Sequence, residues 1–414
     1  MRSNHAPNGR PKSIELRYAT PTNKGEWPGK GFASPVESNI QQTLASRVRL
    51  TPVSQEAEPA AVNGSETPCR APLLSVVILN YNGGPWLERC LISVRNQTLF
   101  KEIEVVVADN ASEDGSEMLA AHLLEDWPRA QVRSLGANFG YSEGNNRAAF
   151  GAKGRYLFFL NADTWLEPDC LEQLLREMQA AGAVAVTPMV MNYADDGVQF
   201  ASYAGFDLFG LLSAQTAWSK SRELFVAGGC SLLIEADWFH RLGGFDAQFF
   251  MYADEYDLCW RIWAAGGKIV LAHLARLHHR SAASVNPRGG CRIEEIRTSD
   301  TKRYYANRNN LLVLLKNSQH LLLLLVPLQV GLVAIEATAI SALARRWSHF
   351  QRSLLEPIRD CWKLRGHVVA ERRRLKNLRR KGDFWILRFL RFRFNRWDEL
   401  RRCRRLGIPK VDPK

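Results

Sequence analysis

The feature that most constrains this chain is a short apolar run, Leu74-Ser75-Val76-Val77-Ile78-Leu79, stopped by Asn80-Tyr81-Asn82-Gly83-Gly84-Pro85. A run this short and this rich in β-branched residues fits a strand buried on both faces of a parallel sheet. Pro85 can open a helix, and residues 85–95 place Leu87, Leu91 and Val94 on one face of it. The alternation then repeats. Residues 103–108 read as a second strand ending at Asp109-Asn110. A helix follows from about Asp114, with Ser112 or Asp114 as its N-cap. A short third strand contains Val132, and residues 156–160 form a fourth, ending at Asn161-Ala162-Asp163. Pro168 opens a helix to about Ala180, and residues 183–187 are a further strand. Strands alternating with helices imply right-handed crossovers and a mostly parallel α/β sheet. Ligands of such sheets sit beyond the carboxyl ends of the strands. Tyr81, Asp109 and Asp163 all fall there.

Downstream the pattern loosens. Residues 189–225 suggest an irregular or hairpin-rich insertion. Gly228-Gly229-Cys230-Ser231-Leu232-Leu233-Ile234 reads as a glycine loop running into a strand, followed by a helix over 235–242. Residues 254–265 form a second helix whose acidic first turn suits the helix dipole. Residues 268–271 are a last strand, with His278-His279 just beyond it.

Charge divides the chain. Of 414 residues with a formal charge of +13, residues 345–414 hold 23 Lys and Arg against 7 Asp and Glu. The remainder is therefore slightly acidic, and the basic end suits an anionic membrane surface. No nucleic-acid-binding motif accompanies it, so nucleic acid is not an expected partner. The eight cysteines contain no Cys-x-x-Cys pair, which argues against a zinc site of that type and for reduced core thiols in a cytoplasmic protein. Residues 1–70, rich in Pro, Asn, Ser, Gly and Thr, read as a disordered or loosely ordered extension without a secretory signal. Residues 321–343 are apolar for the length of a bilayer, interrupted by Pro327, Gln329 and Glu336. A spanning helix, an interfacial helix and a buried helix all stay open for this segment. Aromatic and basic residues interleave over 384–394, which suits an interfacial segment on anionic lipid. The alternative for that tail is a basic helix packed on its own domain.

Five motifs occur in the order seen in family 2 glycosyltransferases, across about residues 73–285. Ser75 to Gly83 resembles the family's opening strand and nucleotide loop, and Val106 to Ser116 the segment that contacts the nucleobase. Asn138-Phe139-Gly140-Tyr141-Ser142-Glu143-Gly144-Asn145-Asn146 resembles a loop of rhamnosyltransferase-like members. Phe159 to Thr164 is similar to the metal-binding Asp-x-Asp variant, and Met251 to Arg261 to the acidic motif carrying the general base. The resemblance implies a GT-A fold over residues 71–300, with 301–414 a basic, helical, membrane-associated region. It implies an inverting transfer from a nucleoside diphosphate sugar, with deoxythymidine-diphosphate rhamnose the first expectation, to a lipid-linked or polysaccharide acceptor. The location implied is the cytoplasmic face of the cell membrane, peripheral or single-span. Carried over by residue, Asn80, Tyr81, Asp109, Asn138, Gly140 and Asn161 bind the nucleotide sugar. Tyr81 stacks on the base and Asp109 accepts its imide proton. Asp163 binds Mg or Mn, with Asn161 in place of the usual first acid and His278 added to the metal shell. The base is Glu255 or Asp254, with Glu255 favoured; the family order Glu-Asp is reversed here.

Three rival readings remain. A processive synthase would need a Gln-x-x-Arg-Trp motif, and Arg346-Trp347 and Arg396-Trp397 supply only its last two letters. A nucleotidyltransferase would need a basic residue in the early glycine loop, which Asn82-Gly83-Gly84-Pro85 lacks. A catalytically dead scaffold would keep only the basic tail.

Overall fold

The computed structural model describes residues 71–414 apart from 201, 216–219, 281–296, 398–400, 402–403, 405–406, 408–409 and 413–414. The expected loose extension, residues 1–70, lies outside the described residues.

The chain runs β1 (Leu74–Asn80), α1 (Gly84–Arg95), β2 (Ile103–Asp109), α2 (Ser116–Leu124), β3 (Ala130–Ser134), α3 (Gly140–Ala149), β4 (Tyr156–Asn161), β5 (Thr164–Leu166), α4 (Cys170–Ala181) and β6 (Ala185–Asn192). Short strands β7 (Val198–Phe200), β8 (Ser202–Phe206), β9 (Leu212–Gln215) and β10 (Arg222–Glu223) fill the stretch expected to be irregular or hairpin-rich, with β8 and β9 an antiparallel pair. Then come β11 (Ser231–Glu235), α5 (Ala236–Leu242), α6 (Asp254–Ala264), β12 (Ile269–His279), α7 (Asp300–Asn317), α8 (Leu325–Ala344), α9 (Trp347–Phe350), α10 (Glu356–Lys363), α11 (Arg365–Leu378) and α12 (Asp383–Ile386).

The main sheet has the order β10-β12-β6-β11-β4-β1-β2-β3. β1 pairs parallel with β2 and β4, while β11 runs antiparallel between β4 and β6. Alternate residues of one strand enter opposite layers, as two-sided burial requires. Val77, Leu157 and Phe159 face the layer of α3, α5, α6 and α7, whereas Val76, Ile78, Phe158 and Leu160 face α1 and α4.

Four expectations need correction. α2 starts at Ser116 behind Gly115, whose φ of 80° is left-handed, and Asp114 binds the Ser116 N–H without forming the N-cap. Residues 140–149, expected as loop, are helix α3. Its buried face consists of Gly140, Ser142, Gly144, Asn145, Ala148 and Ala149, too small and polar to show as an apolar stripe. A Cβ on Gly144 would stand 2.7 Å from Leu79, so glycine permits this close helix-on-strand packing. The last strand does not stop at residue 271. After a register shift between Ala272 and Arg276 it continues to His279 and pairs with β5.

The fourth correction concerns the aromatic tail. Ile386 and Phe389 are buried, with Phe389 packing on Phe225 and Trp263, and Trp385 on Trp263. Phe384 and Phe392 stay exposed. Alternate residues of this segment therefore serve the protein core, which excludes a wholly interfacial segment. Among the described residues one helix, 322–344, is long and apolar enough to cross a membrane.

Candidate active site

The ends of β1 and β2 are welded by polar side chains. Asn80 Nδ2 donates to Asp109 Oδ1 (2.8 Å), Ser116 Oγ (2.7 Å) and Ser112 Oγ (3.1 Å). Asp109 Oδ2 accepts the Ser112 N–H at 2.8 Å. Asn82, in left-handed conformation at φ 52°, donates its N–H to Ser112 Oγ and accepts that of Glu113 on Oδ1. Asp114 accepts the Gly84 N–H; desolvation is the largest single influence and pushes its carboxyl up, but the hydrogen bonds from Ser116 and that amide together outweigh it and hold the carboxyl below the usual range. Asp109 is fully buried with both oxygens engaged inside the protein. The expected imide contact therefore finds no open face on it, and Asp109 instead orders the loop. Tyr81, by contrast, is 53% exposed and free to stack.

The third loop joins this pair. Asn110 Nδ2 donates to Asn138 Oδ1 (3.0 Å) and the Gly140 carbonyl (3.2 Å), and the Gly140 N–H donates to Asn138 Oδ1 (2.9 Å). Gly140 has φ 72°, and a Cβ there would lie 2.4 Å from the Phe250 carbonyl oxygen. That carbonyl accepts the Tyr141 N–H at 2.5 Å and the Ser142 N–H at 3.3 Å. Thus the loop at 138–140 is seated on the segment that leads into the acidic helix.

That segment is strained. Phe250, Tyr252 and Ala253 have φ of 62°, 68° and 60°, positions costly for non-glycine residues. Two residues of α7 hold it. Asn309 Nδ2 lies 2.8 Å from the Phe249, 2.7 Å from the Met251 and 2.8 Å from the Tyr252 carbonyl oxygens. Arg308 donates to the Gln248 and Phe249 carbonyls. Sequence reasoning missed both, because they sit among Lys302, Arg303, Asn307 and Asn310 in the polar first part of α7 and stand out by no local signal.

The segment delivers Asp254 and Glu255 to the first turn of α6. Asp254 is buried, and its Oδ2 has no hydrogen-bond partner. Burial first, then repulsion and a shared hydrogen bond with Glu255, push its carboxyl well above the ordinary range. Glu255 is half-buried, and its Oε1 comes within 2.9 Å of where a Cβ on Gly229 would stand. Tyr141 Oη donates to the Gly229 carbonyl at 3.0 Å. Asp257, a turn further along, is structural. Arg261 and Lys316 outweigh its burial and hold its carboxyl low.

Asp163, 31% exposed, sits in the turn between β4 and β5 and is linked to Cys230 of the 228–230 loop through His279. Asn161, half-buried at the end of β4, donates its N–H to the Cys230 carbonyl, and its own carbonyl accepts from Thr164 Oγ1. The histidine beside Asp163 is His279, with Nε2 3.4 Å from Oδ1. Burial opposes charge on His279, but the Cys230 sulfur and Asp163 more than offset it and raise its pKa to about 10. His278, the expected ligand, points to the other face because successive residues of a strand alternate. It stacks on Trp165 at 3.6 Å, and its Nδ1 and Nε2 meet the Asn192 carbonyl and Glu167. His278, Glu167 and Asp196 bring their donor atoms within 4.8 Å of one another, a second group able to hold a cation.

The profile of Glycosyl transferase family 2 matches residues 75–241, which contain all of these loops up to the acidic helix. Over that segment the chain is similar to glycosyl transferase family 2. The mixed sheet agrees with the α/β sheet expected from the sequence. The chain is 27% identical over 245 residues to an N-acetylglucosaminyl-diphospho-decaprenol L-rhamnosyltransferase of Mycobacterium tuberculosis, covering 51% of this chain and 77% of that one. It is 35% identical over 108 residues to a hyaluronan synthase of Pasteurella multocida, covering 26% of this chain but only 11% of the synthase. Among solved structures it is similar to S. aureus TarS 1-349 in complex with UDP-GlcNAc, with 15% identity, a TM-score of 0.46, and coverage of 74% and 88% of the two chains.

Proposed function

We propose that this chain is an inverting, metal-dependent glycosyltransferase of cell-surface glycan assembly, with rhamnose the first candidate sugar and a lipid-linked acceptor at the cytoplasmic face of the membrane. One observation carries the reading. Asp163 with His279, and Glu255 with Asp254, flank one short loop, Gly228–Cys230. A diphosphate site and a base site so close together suit transfer from a nucleoside diphosphate sugar. The rhamnosyltransferase relative supports the sugar and the lipid-linked acceptor by its name.

The donor set fits a divalent cation. Asp163 Oδ1 and His279 Nε2 lie 3.4 Å apart, and a Mg or Mn ion taken up there would displace the imidazole proton that Asp163 favours. Bound there, the ion would neutralise the diphosphate as charge develops on it. The protein's own part is orientation and proton transfer. Tyr81 stacks on the base, while Asn80, Asp109, Asn138 and Gly140 shape the loops around it. Glu255 takes the proton of the acceptor hydroxyl as that oxygen attacks the anomeric carbon. The carbon–oxygen bond to the diphosphate breaks on the opposite face, and its electron pair leaves with the phosphate. Asp254, buried beside Glu255 and with its proton affinity raised by that burial, directs it. Two neighbouring carboxyl groups with separated affinities for a proton are a common way to divide such roles.

The test is donor turnover with Mn for wild type, Glu255→Gln and Asp254→Asn. Glu255→Gln should lose at least about 100-fold, the range of a general base, while Asp254→Asn keeps most activity. Equal losses in both would refute the division of labour.

A further inference from the structure

Helix α8 is apolar inside and out: Leu325, Leu332, Val333 and Ala337 are buried on its protein-facing side. Its protein-facing side carries Gln329 and Ser341, both buried, and Glu336, which pairs with Arg396 at 2.7 Å. Its outward side is a continuous stripe at helical spacing: Leu324, Leu328, Gly331, Ile335, Thr338, Ala342 and Leu343 are all exposed. Ile335 is 71% and Leu343 68% exposed. A helix facing water carries polar residues outward. A stripe this long also exceeds the scattered exposed leucines that any surface tolerates.

A second exposed apolar stripe follows in the chain. Leu355, Ile358 and Trp362 are exposed one turn apart along α10, flanked by Arg352, Arg359, Lys363 and Arg365. Trp347, 63% exposed and stacked on Phe350, stands between the stripes beside Arg345. Exposed tryptophan at the junction of apolar and basic surface is the signature of a bilayer interface.

Spanning is incompatible with what covers the inner side of α8. Val333 and Ala337 pack on Phe350 and Leu354, in α9 and the turn after it. The same turn-and-helix layer carries Arg346 and His349 bonded to Asp300, and Arg352 bonded to Glu356. A helix crossing the bilayer would drag those charges into hydrocarbon, at high cost.

We propose that α8 lies in the plane of an anionic bilayer, its outer stripe in the acyl boundary and the tryptophans and arginines of α9–α10 at the headgroups. The proposal deepens the membrane location given above and rests on it. The occupant is lipid because the surface pairs an apolar stripe with basic rims, which suits anionic headgroups over hydrocarbon.

The test is flotation of the full chain with vesicles of phosphatidylcholine, with and without phosphatidylglycerol. Wild type should float with the anionic vesicles, lose much of that binding at high salt, and be released by alkaline carbonate. The double variant Leu328→Glu/Ile335→Glu should bind at least about tenfold more weakly, since each apolar side chain withheld from lipid forfeits that order of affinity. Both positions are exposed, so its thermal unfolding and its Mn-dependent donor hydrolysis should match wild type. Equal flotation of wild type and variant overturns the proposal. So does wild type that floats but resists carbonate, which would keep the membrane location and replace the in-plane helix with a spanning one. Absence of flotation, with a dimer that the variant dissociates, would assign the stripe to a second copy and overturn it as well.

Discussion

Replacing Asn309 with alanine should damage turnover without touching a single substrate-binding group. The Asn309 amide has two hydrogens, shared among the carbonyls of Phe249, Met251 and Tyr252. Those carbonyls belong to a segment with three non-glycine residues at positive φ, each costing about 1–3 kcal/mol to hold. Two buried hydrogen bonds contribute roughly 0.5–1.5 kcal/mol each, and carbonyls left unpaired add roughly 1–3 kcal/mol. Asn309→Ala should therefore destabilise the fold by about 2–4 kcal/mol, measured by urea unfolding. The strain then has room to relax, and the relaxation moves Asp254 and Glu255. A displacement near 1 Å costs on the order of 100-fold in rate. The expected result is kcat reduced on the order of 10- to 100-fold, with donor affinity by thermal shift in the presence of Mn unchanged. If stability falls as expected but kcat holds, Asn309 is only a structural clamp and the positioning argument fails.

Three further outcomes follow from the geometry. His279→Ala should weaken Mn-dependent stabilisation by the donor, whereas His278→Ala should lower stability through the lost Trp165 stack and leave the Mn response intact; the reverse result would restore His278 to the metal. Asp254 has a raised folded-state pKa, so the unfolded chain ionises it first and its contribution is unfavourable above the unfolded value of about 3.9. Asp254→Asn should thus raise the melting temperature at neutral pH, with a gain that vanishes toward pH values below about 4; a gain equal at all pH would contradict the assignment. Asp246 and Asp257 behave oppositely. Despite burial, their pairing with Lys316 and with His367 or Arg261 lowers both, so their contribution is full above about 3.9 and is lost as pH falls through the folded values. Lys316→Met, by leaving the two carboxylates facing each other, should cost about 3–5 kcal/mol in urea unfolding at neutral pH.

Much of this was legible in the sequence, for definable reasons. β1, β2 and β4 are buried on both faces, so their apolar runs announced them, and the polar residues at their ends marked the site. α3 stayed hidden because it packs through glycine, serine, asparagine and alanine, which leave no hydrophobic period. His278 and His279 could not be told apart because β12 continues past a register shift, and one residue of register reverses the face. The roles of Arg308 and Asn309 depend on a contact about sixty residues distant in sequence, beyond any local pattern. In α8 the apolar length was plain, but only packing reveals that its polar residues turn inward.

The central claim is that Asp163 and Glu255 act together in metal-dependent glycosyl transfer. It is tested most directly by turnover of deoxythymidine-diphosphate rhamnose with Mn, with chelator, and in Asp163→Ala and Glu255→Gln. The account predicts turnover in wild type with Mn, its loss on chelation, and loss in both variants while each still unfolds cooperatively. Turnover that survives chelation, or that Asp163→Ala retains, would contradict it.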